Sequence, residues 1–318
     1  MTEAPVCIGI DVGGTKVLAG VVDVAGHVVR TARRSMPGRR VETVAVEDAL
    51  VAAVEDVAAG TPIAAVGLAA AGFVDAAGER VMFAPHLPWH GEPVRDLLAA
   101  RLGVPVALDN DANCAALAEW TYGAARGAAS ALVVTLGTGI GGALVLDGRV
   151  LHGTNGMAGE FGHMKVVPDG QPCPCGGAGC WEQYSSGNAL VRYARERVGR
   201  EPTLLESACG GDPALLTGPM VTAAAEEGDL VARQAFHSVG DWLGVGLANL
   251  VAAFDPELVV VGGGVSAAGD RLLEPARAAL ARSLVGGADR VVPPVVAARL
   301  GPAAGLVGAA VLARSLTD

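Results

Sequence analysis

Apolar runs alternate with amphipathic stretches along almost the whole chain. A short apolar run from Val6 to Ile10 is turned by Asp11-Val12-Gly13-Gly14-Thr15 into a second run, Val17 to Val22, a pattern that predicts a hairpin. Thr43 is placed to cap an amphipathic helix reaching about Ala59, with Gly60 as its stop, and residues 63–69 follow as a strand. Pro93 suits the first position of a helix that Gly103 ends, ahead of a strand over 104–108. A further helix opens at about Asp111. Helical patterns then cover 187–197, 219–227, 229–254, 270–284 and 304–315, with a fully apolar strand at 258–261. Residues 204–217 read as a loop-like insertion. This alternation of strands and helices places the chain in the α/β class.

The stretch 127–146 carries no charge over 20 residues, long enough for a membrane span. Its centre, Gly137-Thr138-Gly139-Ile140-Gly141-Gly142, is too rich in glycine for a stable helix, and Asp147-Gly148 is a hairpin signal. Two buried strands joined by a glycine loop are expected there instead. The opening MTEAPVCIGI has neither the basic nor the apolar region of a leader, so a cytoplasmic protein with no membrane partner is expected.

A chain of 318 residues, 51% of them hydrophobic, exceeds what one core usually supports, which suggests two domains with a cleft between them. The net charge is -10 and the basic residues are scattered, so nucleic acid is excluded as an expected partner. Six cysteines are too few for a disulfide scaffold in a chain of this length. Cys7, Cys114 and Cys209 stand alone in apolar surroundings and read as small buried hydrophobes. The other three crowd together as Cys173-x-Cys175-x4-Cys180, with His163 ten residues earlier. Three thiols and an imidazole suit tetrahedral Zn2+, and a complete set with no open position would make the ion structural. Reduced loop cysteines or a redox pair remain the alternative reading of the spacing.

Three glycine-rich turns follow apolar strands, at residues 11–16, 137–142 and 262–266. Such turns let main-chain N-H groups approach anionic oxygens closely. The middle one matches G-x-G-x-x-G, a dinucleotide site needing a following helix and an acidic strand end about 20 positions on; here a second strand follows, closed five residues on by the Asp147-Gly148 hairpin turn, so the dinucleotide reading fails on context. No Walker A motif is present. What remains is a carboxylate beside a phosphate turn: Asp11 could hold Mg2+ through water while Thr15 and the turn meet the phosphates of a bound triphosphate. Lys16 is either an added point charge or a solvated strand residue.

The motifs Asp11-Val12-Gly13-Gly14-Thr15-Lys16, Asn110-Asp111-Ala112-Asn113, Leu136 to Gly142, Gly159-Glu160-Phe161-Gly162-His163 and the cysteine loop ending in Trp181-Glu182 resemble the ROK family of sugar kinases and sugar-responsive repressors. Within it the similarity is closest to the bacterial glucokinases, and it runs over nearly the whole chain. The resemblance implies an actin/hexokinase-like, ribonuclease H-like, two-domain kinase with a central cleft. Its small α/β domain would be 1–111, completed by the C-terminal helix 304–318, and its large α+β domain 112–303 with the zinc loop. Asp11, Gly13, Gly14, Thr15, Gly137, Thr138 and Gly139 would face the ATP phosphates, and Gly262, Gly263 and Gly264 the adenosine. Asn110, Asp111, Glu160, His163 and Glu182 would contact the sugar. The implied reaction is phosphorylation of glucose at its 6-hydroxyl, with N-acetylmannosamine, N-acetylglucosamine or fructose as alternative substrates, in a homodimer or homotetramer.

Phosphoryl transfer also needs a carboxylate to accept the attacking hydroxyl's proton, and Asp111, following a strand and opening a helix, is the candidate base. Asp109 reads as a structural residue at the strand end. His27, His86, His90, His152 and His237 lack comparable company and read as structural. Two departures from the family pattern, Asp109 and Ala71, replace no residue assigned to chemistry. A sugar-binding repressor would need a DNA-binding module, and only seven residues precede Ile8.

Overall fold

The computed structural model describes residues 4–36 and 39–317; Met1 to Glu3, part of the segment read for a leader, lie outside the described residues. The chain divides into two units. The first comprises the residues up to Ala129, Ala143–Gly159 and those from Arg299 onward; the second comprises Ser130–Gly142 and Glu160–Ala298.

The first unit opens with β1 (Val6–Val12), β2 (Lys16–Val22) and β3 (Val28–Ser35), then α1 (Thr43–Ala58), β4 (Ile63–Ala70), β5 (Phe73–Val74), β6 (Val81–Phe83), α2 (Val94–Leu102), β7 (Val106–Asn110) and α3 (Asp111–Thr121). The strands form a sheet of order β3-β2-β1-β4-β7, while β5 and β6 pair separately. The expected hairpin is β1 with β2, joined by the glycine turn. Beyond it β1, β4 and β7 run parallel. This geometry demands crossover connections, which α1 and α2 supply. Ile8, Ile10, Val12, Leu50, Val54, Val66 and Leu68 are fully enclosed in the core beneath these helices.

Helix ends depart from the sequence reading in small ways. Glu42, not Thr43, occupies the N-cap of α1 and makes no side-chain cap bond, and Ala59 itself takes the left-handed C-cap conformation before Gly60. Pro93 is the N-cap of α2 rather than its first residue, and the strand expected over 104–108 is β7, displaced by two residues.

The second sheet has the order β10-β9-β8-β11-β12, built from β8 (Ser130–Leu136), β9 (Ile140–Leu146), β10 (Arg149–Val150), β11 (Leu258–Gly262) and β12 (Val295–Ala297). The uncharged stretch 127–146 is therefore strand, loop and strand, and among the described residues no helix is long and apolar enough to cross a membrane. Asp147 and Gly148 both have positive φ, the conformation a tight hairpin turn requires. Helices α4 (Gly187–Arg195), α5 (Leu204–Ala208), α6 (Gly218–Glu226), α7 (Leu230–Phe254) and α8 (Asp270–Ser283) belong to the second unit, as do β8, β11 and β12. α5 corrects the loop reading of 204–217. Thr203 caps this helix locally, its Oγ1 accepting from Leu205 N at 3.2 Å, and Asp229 at the start of α7 adds a tertiary hold, accepting from Leu204 N at 2.7 Å and Thr203 Oγ1 at 2.8 Å.

The last helix, α9 (Ala304–Arg314), returns to the first unit. It lies so close to β1, β4 and α3 that a Cβ at Gly9 would overlap the Leu306 carbonyl, and one at Gly67 the Ala309 carbonyl. Buried Glu119 on α3 fixes the approach to α9, accepting from the main-chain N-H groups of Arg299 at 3.1 Å and Leu300 at 2.8 Å.

Candidate functional site

The parallel register of β1, β4 and β7 sets Asp11 level with Ala69 and Ala69 level with Asp109, so two acids stand at the carboxyl ends of strands separated by one neighbour. In open α/β sheets this edge is where ligands bind. Burial raises the Asp11 carboxyl above its ordinary range, an effect the Lys16 ammonium partly offsets. Burial first, and the Asp109, Asp111 and Asp11 carboxylates after it, push the Cys114 thiol well up.

The turn after β1 leaves Gly13 open, with nothing within 4 Å of a would-be Cβ, whereas a Cβ at Gly14 would overlap the His86 side chain. Gly13 is the position where an anionic oxygen can approach without displacing protein. Thr15 and Lys16 are exposed beside it.

The junction between β7 and α3 is held from three sides. Asn110 caps α3, its Oδ1 accepting from Ala112 N at 2.8 Å and Asn113 N at 3.2 Å, while its Nδ2 donates to Gly72 O at 3.0 Å. Asp109, buried, accepts from Asn110 N at 2.7 Å and Asn113 Nδ2 at 2.8 Å. Its other oxygen meets His152 Nε2 at 2.7 Å. Asp111 opens the helix, where the N-terminal partial positive charge favours an ionised carboxylate. The sequence reads His152 as structural and gives no sign of this partner, 43 residues away in the chain.

In the second unit β8 and β11 run parallel with Gly262 opposite Thr135, so the turns after these strands share an edge. Gly263 has positive φ, and a Cβ there would overlap the Leu136 carbonyl. Gly137 is open, and its carbonyl accepts from Gly187 N at 2.8 Å at the start of α4. Thr138 and Gly264 lie in the same two turns. Glu182 packs against Gly139.

His163, Cys173, Cys175 and Cys180 present ligand atoms that all lie within 4.8 Å of one another. Cys175 Sγ and Cys180 Sγ are 3.6 Å apart, and Cys173 Sγ is 3.7 Å from His163 Nδ1. Tetrahedral ligands at zinc distances of about 2.3 Å stand about 3.8 Å from each other, so the donor set and its spacing fit Zn2+. The His163 ring divides its roles: Nδ1 faces the thiols, and Nε2 lies 3.8 Å from Glu160 Oε2. Glu182 Oε1 accepts from Cys173 Sγ at 3.2 Å and is 3.9 Å from His163 Nδ1. The geometry therefore groups Glu160, His163 and Glu182 with the cysteines, and Asn110 and Asp111 with Asp11 and its turn.

The sequence model of the ROK family matches residues 7–315. A glucokinase of Streptomyces coelicolor is 45% identical over 96% of this chain and 97% of its own length. The crystal structure of a ROK family glucokinase from Streptomyces griseus, in complex with glucose and AMPPNP, superposes with a TM-score of 0.89 at 44% identity, covering 98% of this chain and 99% of that one. An inorganic polyphosphate/ATP-glucomannokinase from Arthrobacter shares the fold at 28% identity and a TM-score of 0.66, over 99% of this chain and all of its own.

Proposed function

This chain belongs to the ROK family, with its actin/hexokinase-like fold, and we propose that it transfers the γ-phosphoryl group of ATP to the 6-hydroxyl of glucose, giving glucose 6-phosphate and ADP. The observation that carries the reading is near-full-length similarity, at 44–45% identity, to glucokinases, one of them solved with glucose and an ATP analogue.

The chain's own residues supply what the chemistry asks for. The open main chain at Gly13 and Gly137 would receive the phosphates, with Gly14, Thr15, Lys16, Thr138 and Gly139 around them, and the turn at Gly262, Gly263 and Gly264 would support the adenosine. Mg2+, held near Asp11, would offset the phosphate charge. Zn2+ bound by His163, Cys173, Cys175 and Cys180 would keep the loop bearing Glu182 rigid. Asn110, Asp111, Glu160, His163 and Glu182 are short polar groups on stiff supports, suited to a ring of hydroxyls. Asp111 would accept the proton of the 6-hydroxyl. In a loose transition state that proton leaves late, so an aligned, weakly basic carboxylate suffices. Family membership also supports a homodimer or homotetramer in the cytoplasm.

Incubation with glucose and γ-labelled MgATP tests this reading. The label should appear on the 6-oxygen of glucose; release as inorganic phosphate alone would contradict it.

A further inference from the structure

His152 follows β10 and lies in the same unit as the β7–α3 junction. Its Nε2 is 2.7 Å from Asp109 Oδ2. Facing a carboxylate, Nε2 is the donor, and a protonated ring makes that bond charge-assisted. The Asp109 carboxylate, first through this hydrogen bond, raises the His152 pKa. Asp109 is the charged group facing the ring from β7. From α3, which packs against β10, the titratable side chains at this end are Asp111 and Cys114.

Asp109 is only 7% exposed at its side chain and has its other oxygen engaged by Asn110 N and Asn113 Nδ2. A buried carboxylate that lost its cationic partner would carry an uncompensated charge and would shift to regain water or new donors. The groups it would drag with it are the main chain of Asn110 and the first turn of α3. Asp111 sits in that turn.

We propose that His152, as an imidazolium paired with Asp109, is a positioning residue that fixes the orientation of Asn110 and Asp111 toward the sugar hydroxyl. The proposal rests on the assignment of Asn110 and Asp111 to the sugar site. In this role His152 acts through Asp109.

The test compares H152F, which keeps ring size without donors, with H152R, which restores a cation with several donors, and measures D111N in parallel. H152F should lose about 10- to 100-fold in kcat/KM for glucose, the size of loss a small misplacement causes, with KM for ATP unchanged because the phosphate turn belongs to the β1–β2 hairpin. H152R should recover to within about 3-fold of wild type, since a charge-assisted bond to Asp109 is retained. A second copy of the same loss should not appear when H152F is added to D109N. Wild-type kinetics for H152F would overturn the proposal. So would equal losses in H152F and H152R that follow their melting temperatures, which is what a merely structural role gives. D111N should fall by about 10² to 10⁴ in turnover. An active D111N beside an impaired H152F would refute Asp111 as the base while leaving the His152 anchor standing.

Discussion

Glu182 packs directly over Gly139, so closely that a Cβ at position 139 would overlap the carboxylate oxygen Oε2. The contact joins the loop after β8 to the loop whose thiols gather around His163. Gly139→Ala should displace Glu182 and lower kcat/KM for glucose by about 10-fold or more, because a group proposed to hold the sugar moves. Metal content should be unchanged. Kinetics and metal analysis on one sample check this, and intact glucose kinetics would show that the contact is not used.

Metal analysis of protein purified without added metal should find one zinc per chain. The spacings of 3.6 and 3.7 Å within the cluster already match a tetrahedral site. Cys175→Ala should lose both the zinc and most activity, as the loop carrying Glu182 loses its anchor. Well under one zinc per chain in the wild type would refute the site.

The two glycines of the first turn should behave differently. Gly13→Val places its side chain in open space, so it should weaken AMPPNP binding measured by calorimetry while leaving the melting temperature close to wild type. Gly14→Val meets His86 and should lower both. Unchanged nucleotide affinity in Gly13→Val would remove the turn from the phosphate site.

His152 gives a pH signature. Its folded-state pKa lies above the ordinary value of 6.5, so the pair with Asp109 contributes stability that is fully present below that value and is lost as pH rises through the folded pKa. The melting-temperature gap between wild type and H152F should therefore be larger near about pH 6 than near about pH 9. Thermal unfolding of both proteins across that range checks the sign, and a gap that widens with pH would contradict it.

Much of this was legible in local sequence because local rules decide it. Asp147-Gly148 is a two-residue turn whose positive φ values its own residues favour, and α7 runs over 230–254 where the apolar period is unbroken. Gly103 ends α2 in the left-handed conformation that glycine takes most easily. The cysteine spacing likewise identified a set of donors that the fold brings together. What escaped depends on partners far away in the chain. α5 is only five residues long and, besides its own Thr203 cap, is held by Asp229 from 25 residues away, a partner that the local sequence does not show. The parallel register that levels Asp11 with Asp109 needs two crossovers to be known first. His152 is 43 residues from Asp109, and a histidine without neighbours of its own kind gives no sign of such a partner.

The most direct test of the account is a coupled assay of kcat/KM over glucose, N-acetylmannosamine, N-acetylglucosamine and fructose with MgATP as donor. Glucose should be the preferred substrate by a wide margin, since the chain's similarity to glucokinases spans nearly its whole length. A higher kcat/KM for any of the other three, or no ATP-dependent phosphorylation of glucose, would contradict it.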